Sequence, residues 1–141
     1  MKYNNNNNKS FKKTTNVLFE LPLKIGTDGK GQEYNIDSFF DIVGKVPFEQ
    51  ISIPLWVNRK DIINPDAKGI VNIGFITKID RETKTISGIY FGNKRDITTA
   101  SASMLETGAE VYARVSLNRY TDTDEERTVK TIIGFDLIPA E

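Results

Sequence analysis

The chain contains no cysteine and no histidine. That excludes thiolate nucleophiles, disulfides, zinc sites built from Cys or His, and imidazole general bases. Carboxylate-only metal sites and Ser/Lys chemistry are what remain. No G-x-x-x-x-G-K-[ST] or G-x-G-x-x-G run occurs, and no carboxylates stand at a catalytic spacing. The acids Asp122, Asp124, Glu125 and Glu126 lack the glycine and closing glutamate of an EF-hand loop. No enzyme, cofactor or metal is therefore expected. Net charge is absent too, with 19 basic against 19 acidic residues, so the chain does not have the balance of a strongly basic nucleic-acid binder. No apolar run approaches the roughly 20 residues of a membrane span. The opening MKYNNNNNKSFKK has no apolar core and does not read as a secretory signal. With no cysteine to oxidise, a cytoplasmic location is the expectation.

What charge there is lies unevenly. Residues 1–14 carry Lys2, Lys9, Lys12 and Lys13 and no acid, whereas 15–67 hold 5 basic and 8 acidic residues. The first segment, with Asn4 to Asn8 in a row, has too little apolar surface to order itself and reads as a flexible, Asn-rich basic arm. Its Tyr3, Phe11 and lysines suit ordering on a partner, which makes the arm the expected route to a homo-oligomer or other assembly.

The rest reads as mostly β. Val17 to Ile25 and Gln32 to Ile36 look like strands around the turn Thr27-Asp28-Gly29-Lys30-Gly31. Pro22 demotes the first toward an edge. Asp37 or Ser38 is placed to cap a short helix through Phe39, Phe40, Ile42 and Val43, stopped at Gly44. Ile51, Ile53, Leu55 and Val57 alternate with Ser52, Pro54 and Trp56, and three prolines nearby argue against a central strand. From Lys68 the alternation regularises. Val71, Ile73, Phe75, Thr77 and Ile79 form one face, Asp80 to Thr83 a hairpin tip, and Thr85 to Phe91 the return strand, where Gly88 invites a bulge. Lys94 to Thr99 forms a third short strand and Ser101 to Thr107 a helical turn. The last stretch, Gly108 to Ile138, is a long hairpin. In it Val111, Ala113, Val115 and Leu117 face one way and Tyr112, Arg114, Ser116 and Asn118 the other. Val129, Thr131, Ile133, Phe135 and Leu137 repeat the period on the return.

That hairpin resembles the last two strands of the OB-fold in bacterial and phage single-stranded DNA-binding proteins. Met104-Leu105-Glu106-Thr107-Gly108-Ala109-Glu110-Val111 looks like the helix-then-glycine approach to the fourth OB strand. Asn118 to Arg127 looks like the charged finger between strands four and five. The resemblance covers mainly residues 104–138. It implies a five-stranded, OB-like antiparallel barrel over about 68–139, with 15–67 as an N-terminal β extension and short helix packed on it. The chain departs from the family in placing about 67 residues before the barrel and in ending at Pro139-Ala140-Glu141 without an acidic-tipped tail. That favours a phage or plasmid version over a cellular one.

The function implied is binding of single-stranded DNA in phage-type replication or recombination. The chemistry would be aromatic rings that stack on bases beside cations that meet phosphate. The candidate residues are Trp56, Arg59, Lys60, Tyr90, Lys94, Arg95, Tyr112, Arg114, Arg119 and Tyr120. For each aromatic the competing reading is core packing, and Tyr90 and Phe91, being neighbours on a strand, cannot both face outward. Asp122, Asp124, Glu125 and Glu126 oppose phosphate in the finger. A second reading stays open: a non-enzymatic virion protein, capsid-associated or auxiliary, that uses the arm for assembly. It would be found in the virion, whereas the DNA-binding protein would work in the host cytoplasm.

Overall fold

The computed structural model describes residues 17–91, 101, 103–104, 106–118 and 127–139. The elements are β1 (Val17–Lys24), α1 (Ile36–Val43), β2 (Ile53–Asn58), α2 (Arg59–Ile62), β3 (Ile70–Asp80), β4 (Thr85–Tyr90), β5 (Ala109–Leu117) and β6 (Val129–Pro139). The strands close into a barrel in the order β1-β4-β3-β2-β6-β5. The protein is thus mostly β, and the barrel is OB-like in outline. It differs in having six staves, because β1 and β2, from the segment expected to pack outside, are built into the wall. Two of its seams are parallel: β1 with β5 at Leu23 and Lys24, and β2 with β6 from Leu55 to Val57. The arm 1–14 and the third short strand expected at 94–99 lie outside the described residues.

Alternation fills the interior. Phe19, Leu21 and Leu23 of β1, Leu55 and Val57 of β2, Ile76 of β3 and Ile86 of β4 are buried together with Val111, Ala113, Phe135 and Leu137. Pro22 and Pro54 sit where a missing N–H costs little. The Leu23 amide donates toward β4, to the Lys84 carbonyl at 2.9 Å. The blocked nitrogen of Pro22 therefore points the other way, where β5 has not yet begun to pair. Pro54 precedes Leu55, the first residue of β2 to pair with β6. β2 is accordingly paired on both sides, and the prolines around it do not confine it to an edge.

Helix α1 closes one mouth. Asn35, not Asp37 or Ser38, is the N-cap, accepting from the Ser38 amide at 2.8 Å, and Gly44 ends the helix. The Ser38 hydroxyl in turn accepts from the Val129 amide at 2.9 Å, which pins the helix to the start of β6. Phe39 and Phe40 point inward, and Arg81, from the turn between β3 and β4, lies 4.9 Å over the Phe40 ring while pairing with Asp37. Because Asn35 caps a helix, the strand expected at 32–36 reduces to a single bridge, Thr27 to Glu33. The expected turn is present: the Asp28 carboxylate accepts from the amides of Lys30 and Gln32, each at 2.8 Å. In the β3–β4 turn, the amides of Thr83 and Glu82 hold the Asp80 carboxyl below its ordinary range. Ser101, Ser103, Met104, Glu106 and Thr107 are helical, as expected for 101–107.

The bulges decide which side chains face out. On β3, Leu55 pairs with Gly74 and Trp56 with Asn72, leaving Ile73 as an extra residue turned inward. A second slip lies at Thr77, opposite the pair Ser87 and Gly88. On β6, the register skips Lys130 and Ile133. Two slips restore the phase, so Val129, Phe135 and Leu137 are inside, while Thr131 is exposed and Ile133 is 46% exposed. The strict alternation expected from Val129 to Leu137 is broken in its middle.

This arrangement separates two apolar residues that alternation alone treats alike. Phe135→Ala should cost about 3–5 kcal/mol, since it empties a fully enclosed ring site. Ile133→Ser should stay within about 0.5 kcal/mol, as at an ordinary surface site. Urea denaturation measures both. Equal losses would mean that Ile133 is also inside and that the bulge is misplaced.

Candidate functional site

Two parts of the outer barrel wall carry the candidate chemistry. The first is the outer face of β2, β6 and β5, where the sequence analysis placed Trp56, Tyr112 and Arg114. All three do point outward, with Val115 and Phe135 on the inner side. They are not open to a ligand in the way expected. The Arg114 guanidinium makes a two-point contact with Asp136, Nε to Oδ2 at 3.0 Å and Nη2 to Oδ1 at 2.7 Å. It also lies 4.8 Å from the centre of the Trp56 ring. Trp56 rests on Gly134, where a Cβ would sit 2.5 Å from Cζ3 of the indole. This is a close approach that only glycine permits. Tyr112 is half-buried and the 27–31 turn packs beside the base of its side chain, since a Cβ on Gly29 would lie 3.9 Å from its Cβ and Cγ. Beside it Glu110 pairs with Lys24 at 3.2 Å. Two of the guanidinium's N–H donors are thereby committed and its charge is shared with a carboxylate.

Next to this cluster is a cleft of about 490 Å³, lined by Asp28, Lys30, Asn58, Lys60, Asp61 and the Arg114–Asp136 pair over a floor of Leu137, Ile138 and Pro139. Asn58 caps the single turn of α2, accepting from the Lys60 amide at 3.2 Å. Arg59 and Lys60 are exposed on that turn. Among the described residues neither Lys30 nor Lys60 makes an ion pair. The cleft balances cations against acids and selects no sign of charge.

The second part was not foreseen. On the outer face of β1, β4, β3 and β2, the register places Leu18 beside Ile89, Ile89 beside Phe75 and Phe75 beside Pro54. Phe91 continues it, its ring 5.9 Å from that of Phe75. Leu18 is 79% exposed and the others are partly so. At about 4.8 Å per strand the row spans about 14 Å. Strict alternation puts Phe75 on one face with Val71 and Ile73. The slip at Ile73 sends it out, and the one local signal was Gly74, whose missing Cβ admits the Ile89 carbonyl.

Tyr90 leaves the candidate set. It is 2% exposed, with its phenol in the barrel, so Phe91 is the outward neighbour. Burial pushes the Tyr90 hydroxyl up to about 12, against the opposing effect of a hydrogen bond with Ser101. Lys94, Arg95, Arg119 and Tyr120 lie outside the described residues. Among those described, no helix is long and apolar enough to cross a membrane.

No family model matches this chain, and a search of curated proteins and of solved structures finds no similar one.

Two outcomes follow from these environments. Gly134→Ala should lift the Trp56 ring off β6, changing the emission of the sole tryptophan and costing about 1–3 kcal/mol, as overpacking does. Unchanged emission and stability would remove the stack. The second concerns alkali. Burial raises the Tyr34 hydroxyl, like that of Tyr90, from 10.0 to about 12. The folded state then holds these protons more tightly than the unfolded state. Their stabilisation is complete below pH 10 and is lost as pH rises toward 12. An absorbance titration of the folded protein should find Tyr34 and Tyr90 still un-ionised at about pH 11, a fraction that Tyr34→Phe and Tyr90→Phe each reduce. Ionisation of either one near 10 would show that it is not buried.

Proposed function

We propose that this protein is a non-enzymatic binder of single-stranded DNA, acting in phage-type replication or recombination, and that the strand crosses the outer face of β4, β3 and β2. The observation that carries this reading is the pair of outward rings, Phe75 and Phe91, side by side on that face. Bases of any sequence stack on such rings, each stack contributing about 1–3 kcal/mol. Cations stand at both ends in sequence. Arg59 and Lys60 follow β2, and Lys94 and Arg95 follow Phe91 within four residues. The OB-like outline and the resemblance of the last hairpin to single-stranded DNA-binding proteins support the same reading. The DNA-contact set shifts accordingly, from Tyr112 and Arg114 toward Phe75 and Phe91.

A second reading, an assembly role in a virion, is favoured by one observation. The row from Leu18 to Pro54 holds no charged side chain, and its most exposed member is a leucine. Such a strip also suits a protein partner.

Fluorescence anisotropy with labelled oligo-dT decides between them. Binding should be measurable at about 50 mM salt and weaken as salt rises, because phosphate contacts release counterions. Phe75→Ala should cost about 1–3 kcal/mol of affinity, while Arg114→Ala, at a cation already paired, should leave affinity nearly unchanged. Absence of binding at low salt, together with self-association that Leu18→Lys abolishes, would overturn the DNA reading in favour of assembly.

A further inference from the structure

We infer that β3 is the reading strand of the outer face, with Asn72 donating to a base edge, Phe75 stacking on a base and Lys78 meeting a phosphate, an assignment that rests on the single-stranded DNA function proposed above.

The register of β3 brings these three side chains together. Strict alternation would put Phe75 on the opposite face from Asn72 and Lys78. The slips at Ile73 and Thr77 turn all three outward, each three positions from the next, while Ile73, Gly74 and Ile76 between them are buried. Their partners on the adjacent strands also face out: Trp56 beside Asn72, Ile89 beside Phe75 and Ser87 beside Lys78. Two slips in one strand thus line up an amide, an aromatic ring and a cation, the three kinds of group that a single strand of DNA calls for.

The two polar members are free to act on a ligand. The Asn72 Oδ1 accepts from the Gly74 amide at 3.1 Å. That turns the oxygen toward the bulge and leaves the NH2 group, with its two donors, at an exposed position. Thymine carries a carbonyl on each flank of its pairing edge, whereas adenine carries an amino donor there, so this group favours thymine. Lys78 is exposed and makes no ion pair among the described residues. Two acids face it. Asp80, two residues on, accepts from the amides of Glu82 and Thr83 at 2.9 and 3.1 Å. Glu20 lies beyond Ser87, two strands and about 10 Å away, where salt screens it. A phosphate at Lys78 therefore displaces no fixed partner, as it would have to at Arg114. Arg59 and Lys60 stand past the opposite end of the line, after Asn58, which pairs with Ile70.

The test is anisotropy with labelled oligo-dT and oligo-dA across a salt series. Lys78→Gln should weaken both oligomers alike and lower the slope of log affinity against log salt by about 0.7, the share of one phosphate on a single strand. Lys45→Gln, at an exposed lysine just after α1, removes the same charge elsewhere and should leave the slope unchanged. Asn72→Ser keeps an acceptor for the Gly74 amide while removing the NH2 donors. It should leave the slope unchanged and reduce the ratio of oligo-dT to oligo-dA affinity about two- to tenfold. A slope untouched by Lys78→Gln, or lowered equally by Lys45→Gln, would overturn the phosphate contact. A ratio untouched by Asn72→Ser would overturn the base contact. In both cases binding that Phe75→Ala still weakens would leave the DNA reading standing. No binding of either oligomer by the unsubstituted protein would overturn that reading and this assignment together.

Discussion

Closing a six-stranded sheet on itself is the constraint from which the rest of this structure follows. A barrel this narrow has no room for a lumen, so each strand must send alternate side chains inward to fill it. Closure here depends on two short parallel seams, two residue pairs between β1 and β5 and three between β2 and β6. Parallel neighbours cannot be joined by a tight turn. The helix α1 over one mouth and the 27–31 turn against Tyr112 belong to the connection from β1 to β2, strands that are not neighbours in the wall. The features outside the wall are consequences of how the wall is closed.

The same constraint divides the outer surface. On β5, β6 and β2 the outward groups satisfy one another: Trp56 on Gly134, Arg114 between Trp56 and Asp136, Tyr112 beside Gly29. That half is a clamp across three strands. On β1, β4 and β3 one row of outward groups, Leu18, Ile89 and Phe75, is apolar and leaves Leu18 largely exposed. Unsatisfied surface of this kind is where a partner gains most, because apolar area is removed from water without breaking an existing contact. A closed barrel also has little free strand edge to offer, so recognition falls to these side chains. It is on this ground that the aromatic row, rather than the Arg114 cluster, carries the functional reading.

Bulges link the two halves. The slip at Ile73 turns that residue into the core and sends Phe75 out. The slips at Lys130 and Ile133 bring β6 back into phase, so that Gly134 can lie beneath Trp56. Shifting a strand by one residue moves every following side chain to the opposite face. A single extra residue on β3 therefore takes Phe75 off the face it would share with Ile73 and makes it a candidate ligand contact.

Local pattern in the sequence was enough to determine the β class, the turn at Asp28, the stop of the helix at Gly44, and the inward placement of Val115 and Phe135 with Tyr112 and Arg114 outward. These depend on residues within a few positions of one another: period-two alternation, turn glycines and a helix-ending glycine. Only the tertiary structure decided that β1 and β2 are staves of the barrel, that Arg114 is neutralised by Asp136 from the neighbouring strand, that Tyr90 is buried, and that Phe75 and Phe91 share an outer face with Leu18. Each of these depends on pairing between strands far apart in the chain and on one-residue slips in that pairing. Alternation along one strand shows that it has two faces. Where a slip interrupts that alternation, as at Ile73 and Ile133, which side chains face inside is set by the register with the neighbouring strands, and that register is settled by closure of the whole barrel.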